Sequence, residues 1–126
     1  MISIPENWAE QSRYDVNTAQ AMLEAGRYRY VFFCCQQAIE KMLKAVYAAR
    51  KNETPPRVHN LMRLAETAGV SVSDKQAEFL RELTAYYVIS RYPLETDRES
   101  SISVSLAQET LILTQEFVQW LESQVM

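Results

Sequence analysis

The chain carries a single histidine, His59, in the run Arg57-Val58-His59-Asn60-Leu61 just after the proline pair Pro55-Pro56. Near neutral pH an imidazole can take a proton, give one, or donate to a phosphate. A guanidinium two residues away can share the charge of an anionic ligand. Lys41 and Lys44 lie on one helical strip, Arg91 and Tyr92 precede Pro93, and Tyr86 and Tyr87 are adjacent. Cations attract phosphates, and tyrosine rings stack on bases. These residue types make His59, Arg57, Arg91, Lys41, Lys44, Tyr87 and Tyr92 the candidate site residues, and their cations could attract phosphates or an acidic partner.

Each residue also has a purely structural reading. His59 can hydrogen-bond a helix end, and Arg91 suits a helix C-terminus through the dipole alone. Glu40 and Lys44 form an i, i+4 pair in the favourable order, which reads as a solvated face. Tyrosines at helical spacing usually belong to the core. Gln36 and Gln37 lie on an otherwise apolar helix and need partners wherever they are buried.

Composition excludes other chemistries. One histidine rules out zinc motifs that need two. Two glycines in 126 residues are too few for clustered phosphate loops or for a turn-rich all-β fold. The two cysteines are the neighbours Cys34 and Cys35, which point about 100° apart on a helix and read as small buried hydrophobes in a reducing cytosol. No metal and no cofactor is expected. The polar N-terminal stretch does not read as a signal peptide, and no apolar run is long enough to span a membrane. The expected setting is a cytoplasmic protein with one helical domain over residues 1–126.

Five helices must position the candidate residues, with no convincing strand. The first is expected from about Asn7 to Ala25, opened by Asn7 and Glu10 as a capping box, with Trp8, Val16, Ala19 and Leu23 inward and Gly26 closing it. The second runs from about Arg27 to Lys51 and is apolar around most of its circumference, so it is central or covered by a second chain. The third, short, spans about His59 to Ala68, with Asn60 as N-cap and Gly69 at its end. The fourth starts at Ser73 or Asp74 with Gln76 in the reciprocal position, and Pro93 stops it. Leu94 to Ser101 is a polar connection. The fifth begins near Ser103 with Val104, Ala107, Leu111, Thr114, Val118 and Leu121 as its seam. Connections of this size make an antiparallel up-and-down bundle.

Charge is uneven along the chain. Between Arg27 and Arg63 eight cations face two carboxylates, a balance of +6 within a chain of net −3. Such a split predicts one basic and one acidic face.

Several motifs together resemble the HEPN (higher eukaryotes and prokaryotes nucleotide-binding) domain. They are Trp8 and Asp15, Ala25-Gly26-Arg27-Tyr28, and Cys35-Gln36-Gln37-Ala38-Ile39-Glu40-Lys41 with Leu43-Lys44-Ala45. Arg57-Val58-His59-Asn60-Leu61 and Tyr87 with Arg91-Tyr92-Pro93 complete the set. The resemblance implies an antiparallel four-helix bundle with a short extra helix, usually a homodimer. It also implies a small nucleotidyltransferase protein as partner, in a toxin–antitoxin-like two-component system. Other members of the family cut RNA with an Arg and a His, four to six residues between them, at the dimer interface. Here those Arg positions hold Asn52, Glu53 and Thr54, so the nuclease motif is missing in its usual form. The resemblance, with the basic segment, therefore implies first a dimeric binding module whose groove, lined by the candidate residues, takes a nucleotide-like anion or an RNA phosphate. The second expectation is a metal-independent ribonuclease toxin that uses His59 with Arg91.

Overall fold

Ser3, not Asn7, opens the first helix. Its hydroxyl accepts from the Glu6 amide at 3.3 Å, and Pro5 occupies the first turn, where no amide proton is needed. Helix α1 accordingly spans Ile4–Glu24 and gains a turn over the expected start. The structure, a computed structural model, describes residues 2–91 and 103–125, with side chains described through Val88 and again from Ser103. Helix α2 spans Tyr28–Lys51, α3 Leu61–Thr67, α4 Asp74–Arg91 and α5 Val104–Glu122. Among the described residues there is no strand.

The other starts follow the sequence closely. Asn60 Oδ1 accepts from the Arg63 amide at 2.9 Å, so α3 begins after Asn60 rather than at His59. Ser73 and Gln76 exchange reciprocal bonds of 2.9 and 3.0 Å. The Ser103 hydroxyl accepts from the Leu106 amide at 3.0 Å. Both glycines lie just past helix ends in the left-handed region, Gly26 at φ 75° and Gly69 at φ 74°. In each case the next residue reaches back: Arg27 N to Met22 O and Val70 N to Ala65 O, both at 2.8 Å. Orphan carbonyls of the last turn are satisfied in this way. Helix α2 ends on Asn52, also left-handed at φ 55°. Helix α4 continues to Arg91, and Pro93 and the connection 94–101 lie outside the described residues.

Helix α2 is the centre of the bundle. Val31, Phe32, Cys35, Ala38, Ile39, Met42, Leu43 and Val46 are fully buried. Burying a side chain the size of Phe, Ile, Leu or Met is worth about 1.5–3 kcal/mol. Helix α1 runs antiparallel to it, with Trp8 beside Lys44 and Asp15 beside Lys41. Helix α4 covers another side, with Phe32 against Tyr86 and Phe33 against Tyr87. Helix α5 runs parallel to α2, placing Thr114 at Cys35 and Gln124 at Arg50. Its buried seam is Ala107, Thr110, Leu111, Thr114, Phe117, Val118 and Leu121, whereas Val104 at the first helical position is exposed. The expected antiparallel up-and-down bundle is therefore present. Most of the broad apolar surface of α2 is covered by the chain's own helices, with Phe33 left 40% exposed.

The thiols are buried as expected. Cys34 and Cys35 are free, and burial pushes the Cys35 thiol up to about 12, with the Thr114 hydroxyl a smaller opposing influence. Burial also raises Cys34, helped by the nearby Asp15 charge.

Candidate functional site

The polar strip of α2 does not face solvent. Gln36, Glu40 and Lys44 are all buried, with only 5% of Glu40 exposed. Turns of 100° per residue put the three within one narrow sector of the helix. A charge placed there must be paired. Glu40 Oε2 accepts from Lys44 Nζ at 3.2 Å. The same oxygen lies 3.0 Å from Nδ1 of His59, which arrives on the loop between α2 and α3. Lys44 Nζ also sits 5.3 Å from the centroid of the Trp8 ring, close enough for a cation–π contact on its α1 side. Gln36 Nε2 donates to the backbone carbonyl of His59 at 3.5 Å, while Gln36 Oε1 is buried without a partner.

The loop that carries His59 is held at both ends. Pro55 is buried before it, and Leu61 and Leu64 of α3 are buried after it. Asn60 caps α3 at the next position. The imidazole is therefore pinned through one nitrogen while 78% of its side chain remains exposed. Ring and carboxylate share the arrangement that orients a histidine elsewhere in protein chemistry: one nitrogen on a buried acid, the other open. An imidazole so held can exchange a proton with a bound group or donate to an anion at its outer nitrogen. Arg57 and Arg63, on either side of His59 in sequence, are both exposed.

The expected groove is only partly assembled. His59, Glu40 and Lys44 come together, but Lys44 is committed to Glu40 rather than open to a phosphate. The reading of the strip as a solvated face is overturned by its burial. Lys41 is part-buried and points toward α1, where Nζ lies 2.7 Å from Asp15 Oδ2. Tyr87 stacks on the half-exposed Phe33, ring centroids 5.8 Å apart. Phe33 precedes Glu40 by seven residues, so it shares that face of α2 about 10 Å along the axis. Arg91 is the last residue of α4, and its side chain, like Tyr92, lies outside the described residues.

The basic segment is likewise not one face. Two of its cations pair with Asp15 and Glu40. Arg50 is drawn to backbone, donating to the carbonyls of Ala68 at 3.2 Å and Gly69 at 2.6 Å and to Gln124 at 2.7 Å. What remains exposed near His59 in the sequence is Arg57 and Arg63. Sequence reading missed that Glu40 reaches His59. Glu40 and His59 were both visible, but a contact across 19 residues and a loop has no local signature. Among the described residues, no three His, Cys, Asp or Glu side chains gather as metal ligands would. No helix of the described chain is long and apolar enough to cross a membrane.

Comparison with known proteins bears on the chain and its fold. The family model of the HEPN domain matches residues 5–124. The crystal structure of TT1696 from Thermus thermophilus superposes with a TM-score of 0.85 at 27% identity, covering 98% of this chain and 99% of that one. The crystal structure of ST0689, an archaeal HEPN homologue, gives a TM-score of 0.72 at 23% identity, covering 99% and 100% of the two chains. No curated protein sequence matches the chain.

Proposed function

The chain belongs to the HEPN domain family, and from that premise we propose that it is a dimeric module that binds a nucleotide or an RNA phosphate at His59 and partners a minimal nucleotidyltransferase in a toxin–antitoxin-like pair. The observation that carries the binding half of this reading is the imidazole of His59, anchored through Nδ1 on buried Glu40 and otherwise exposed. A fixed donor loses little freedom when it meets a ligand, so a modest site can still bind. Arg57 supplies the permanent positive charge. Lys44 and Lys41 serve as counter-charges to Glu40 and Asp15, and Tyr87 with Phe33 offers an aromatic surface farther along α2. The partner and the dimer rest on family membership.

Titration calorimetry with a nucleotide panel and short single-stranded RNAs at low salt tests the binding half. The expected result is saturable heat that weakens at least about tenfold in His59→Ala and falls with added salt. Absence of saturable heat from every ligand contradicts it. Affinity purification from the native host, with mass spectrometry of co-purifying proteins, tests the other half. A small nucleotidyltransferase is the expected companion.

The pinned imidazole also favours one second reading, a metal-independent ribonuclease. Cutting RNA without metal needs a base for the 2′-hydroxyl proton and a cation for the phosphate. His59 would be the base and Arg91 the cation. Incubation of RNA in EDTA with the native protein beside His59→Ala decides. Cleavage by the native protein alone supports it, and equal cleavage or none removes it.

A further inference from the structure

We propose that Glu40 is a positioning residue that fixes the proton of neutral His59 on Nδ1 and so leaves Nε2 as the ring's lone-pair nitrogen, facing the ligand. The inference deepens the binding reading above and rests on it for its functional meaning. Its structural content stands apart from any ligand.

Three observations carry it. First, Glu40 Oε2 lies 3.0 Å from His59 Nδ1, a hydrogen-bond distance, and one of the two atoms must supply the proton. Second, the same oxygen already accepts from Lys44 Nζ at 3.2 Å. An ammonium has donors only, so it holds the carboxylate in the accepting form. The remaining donor is then Nδ1–H. Third, this acid is buried while the ring is exposed. A tie made only to fasten the loop gains by covering the ring, yet here the ring's outer edge is left to solvent.

The charged neighbours agree. Lys44 balances Glu40 from within α2, Trp8 of α1 covers Lys44 on its far side, and Gln36 holds the backbone of His59 rather than its ring. Neither contact competes for Nδ1 or occupies Nε2. In solution, neutral histidine prefers the opposite arrangement, with the proton on Nε2. The geometry therefore predicts a reversal of the intrinsic preference, imposed by one carboxylate. The consequence for a ligand is specific. Neutral His59 would accept a proton from a bound hydroxyl at Nε2, and protonated His59 would donate from Nε2 to a phosphate oxygen.

The single histidine makes the test clean, because one imidazole gives one spin system. Long-range proton–nitrogen correlation spectra of the ligand-free, nitrogen-15-labelled protein, taken where His59 is neutral, report which nitrogen is protonated. The expected result is a dominant Nδ1–H form. In Glu40→Leu/Lys44→Met, which removes both buried charges and every acceptor at position 40, the Nε2–H form should return as the major one, with helicity by circular dichroism unchanged. A merely structural role for Glu40 would lower stability without moving the proton between nitrogens. A dominant Nε2–H form in the native protein overturns the proposal, and so does a folded double variant with the native tautomer. The native spectrum decides alone should the double variant not fold. Addition of inorganic phosphate separates the two claims. An Nδ1–H ring whose Nε2 resonance is unmoved by phosphate keeps the positioning role and counts against the phosphate-binding reading.

Discussion

Glu40 and Lys44 show at the residue scale why a pair and its halves behave differently. Removing one partner leaves an uncompensated buried charge, while removing both leaves an apolar contact. Glu40→Leu or Lys44→Met alone should therefore lower the unfolding free energy by about 3–5 kcal/mol. The double variant should cost less than either, and urea denaturation followed by circular dichroism measures all three. Equal, additive losses would mean the pair is solvated after all. Cys35 gives a second prediction. Its thiol is pushed up to about 12 by burial, so iodoacetamide at mildly alkaline pH should leave it unlabelled until the chain is unfolded. The sign of its effect on stability follows. The folded state holds the thiol proton where the unfolded state has lost it, so this group contributes falling stability as pH rises from about 9 toward 12. At this scale the sequence marked His59, Glu40 and Lys44 individually but not their meeting. Spacing of i, i+4 is the same for a solvated pair and a buried one, and only the element packed across it decides. Lys41 with Asp15 illustrates the same blindness, since each residue was visible and the ion pair between helices was not.

Helix boundaries were largely legible, because caps are local chemistry. Asn60, Ser73 with Gln76, Ser103, Gly26 and Gly69 all cap where their residue types predict. The start of α1 was displaced because Ser3 with Pro5 outcompetes Asn7 with Glu10, gaining one more turn of hydrogen bonds. Spacing alone puts Val104 in the α5 seam, yet at the helix's first position it stays exposed. The glycine ends make a prediction that separates conformation from crowding. At Gly26 a Cβ would meet nothing within 4 Å, and at Gly69 it would meet only Arg50 Nη1 at 3.5 Å, an ordinary contact. Gly26→Ala and Gly69→Ala should thus each destabilise by about 1 kcal/mol, through positive φ alone. Thermal melts of the two variants should agree closely. A much larger loss at Gly69 would show that the Arg50 clamp on the Ala68 and Gly69 carbonyls depends on the bare backbone.

The whole molecule is organised around α2, which is wrapped by α1, α4 and α5 and carries the acid that holds His59. An apolar circumference announced a central helix in the sequence, but it could not say whether the cover came from the same chain. The cover is largely intramolecular, with Phe33 the large apolar side chain of that surface left exposed. The basic stretch also changed meaning with the fold. Lys41 and Lys44 pair with Asp15 and Glu40, Arg50 binds backbone carbonyls, and the exposed cations next to His59 in the sequence are Arg57 and Arg63. The proposed site is therefore concentrated on one loop, presented by a helical scaffold. The most direct measurement is a titration of the native protein with short single-stranded RNA and nucleotides at low salt, followed on the imidazole resonances of His59. The expected result is a saturable shift of those resonances whose affinity is weakened about tenfold or more by Arg57→Ala. Resonances of His59 that stay fixed at ligand excess, across the whole panel, would contradict it.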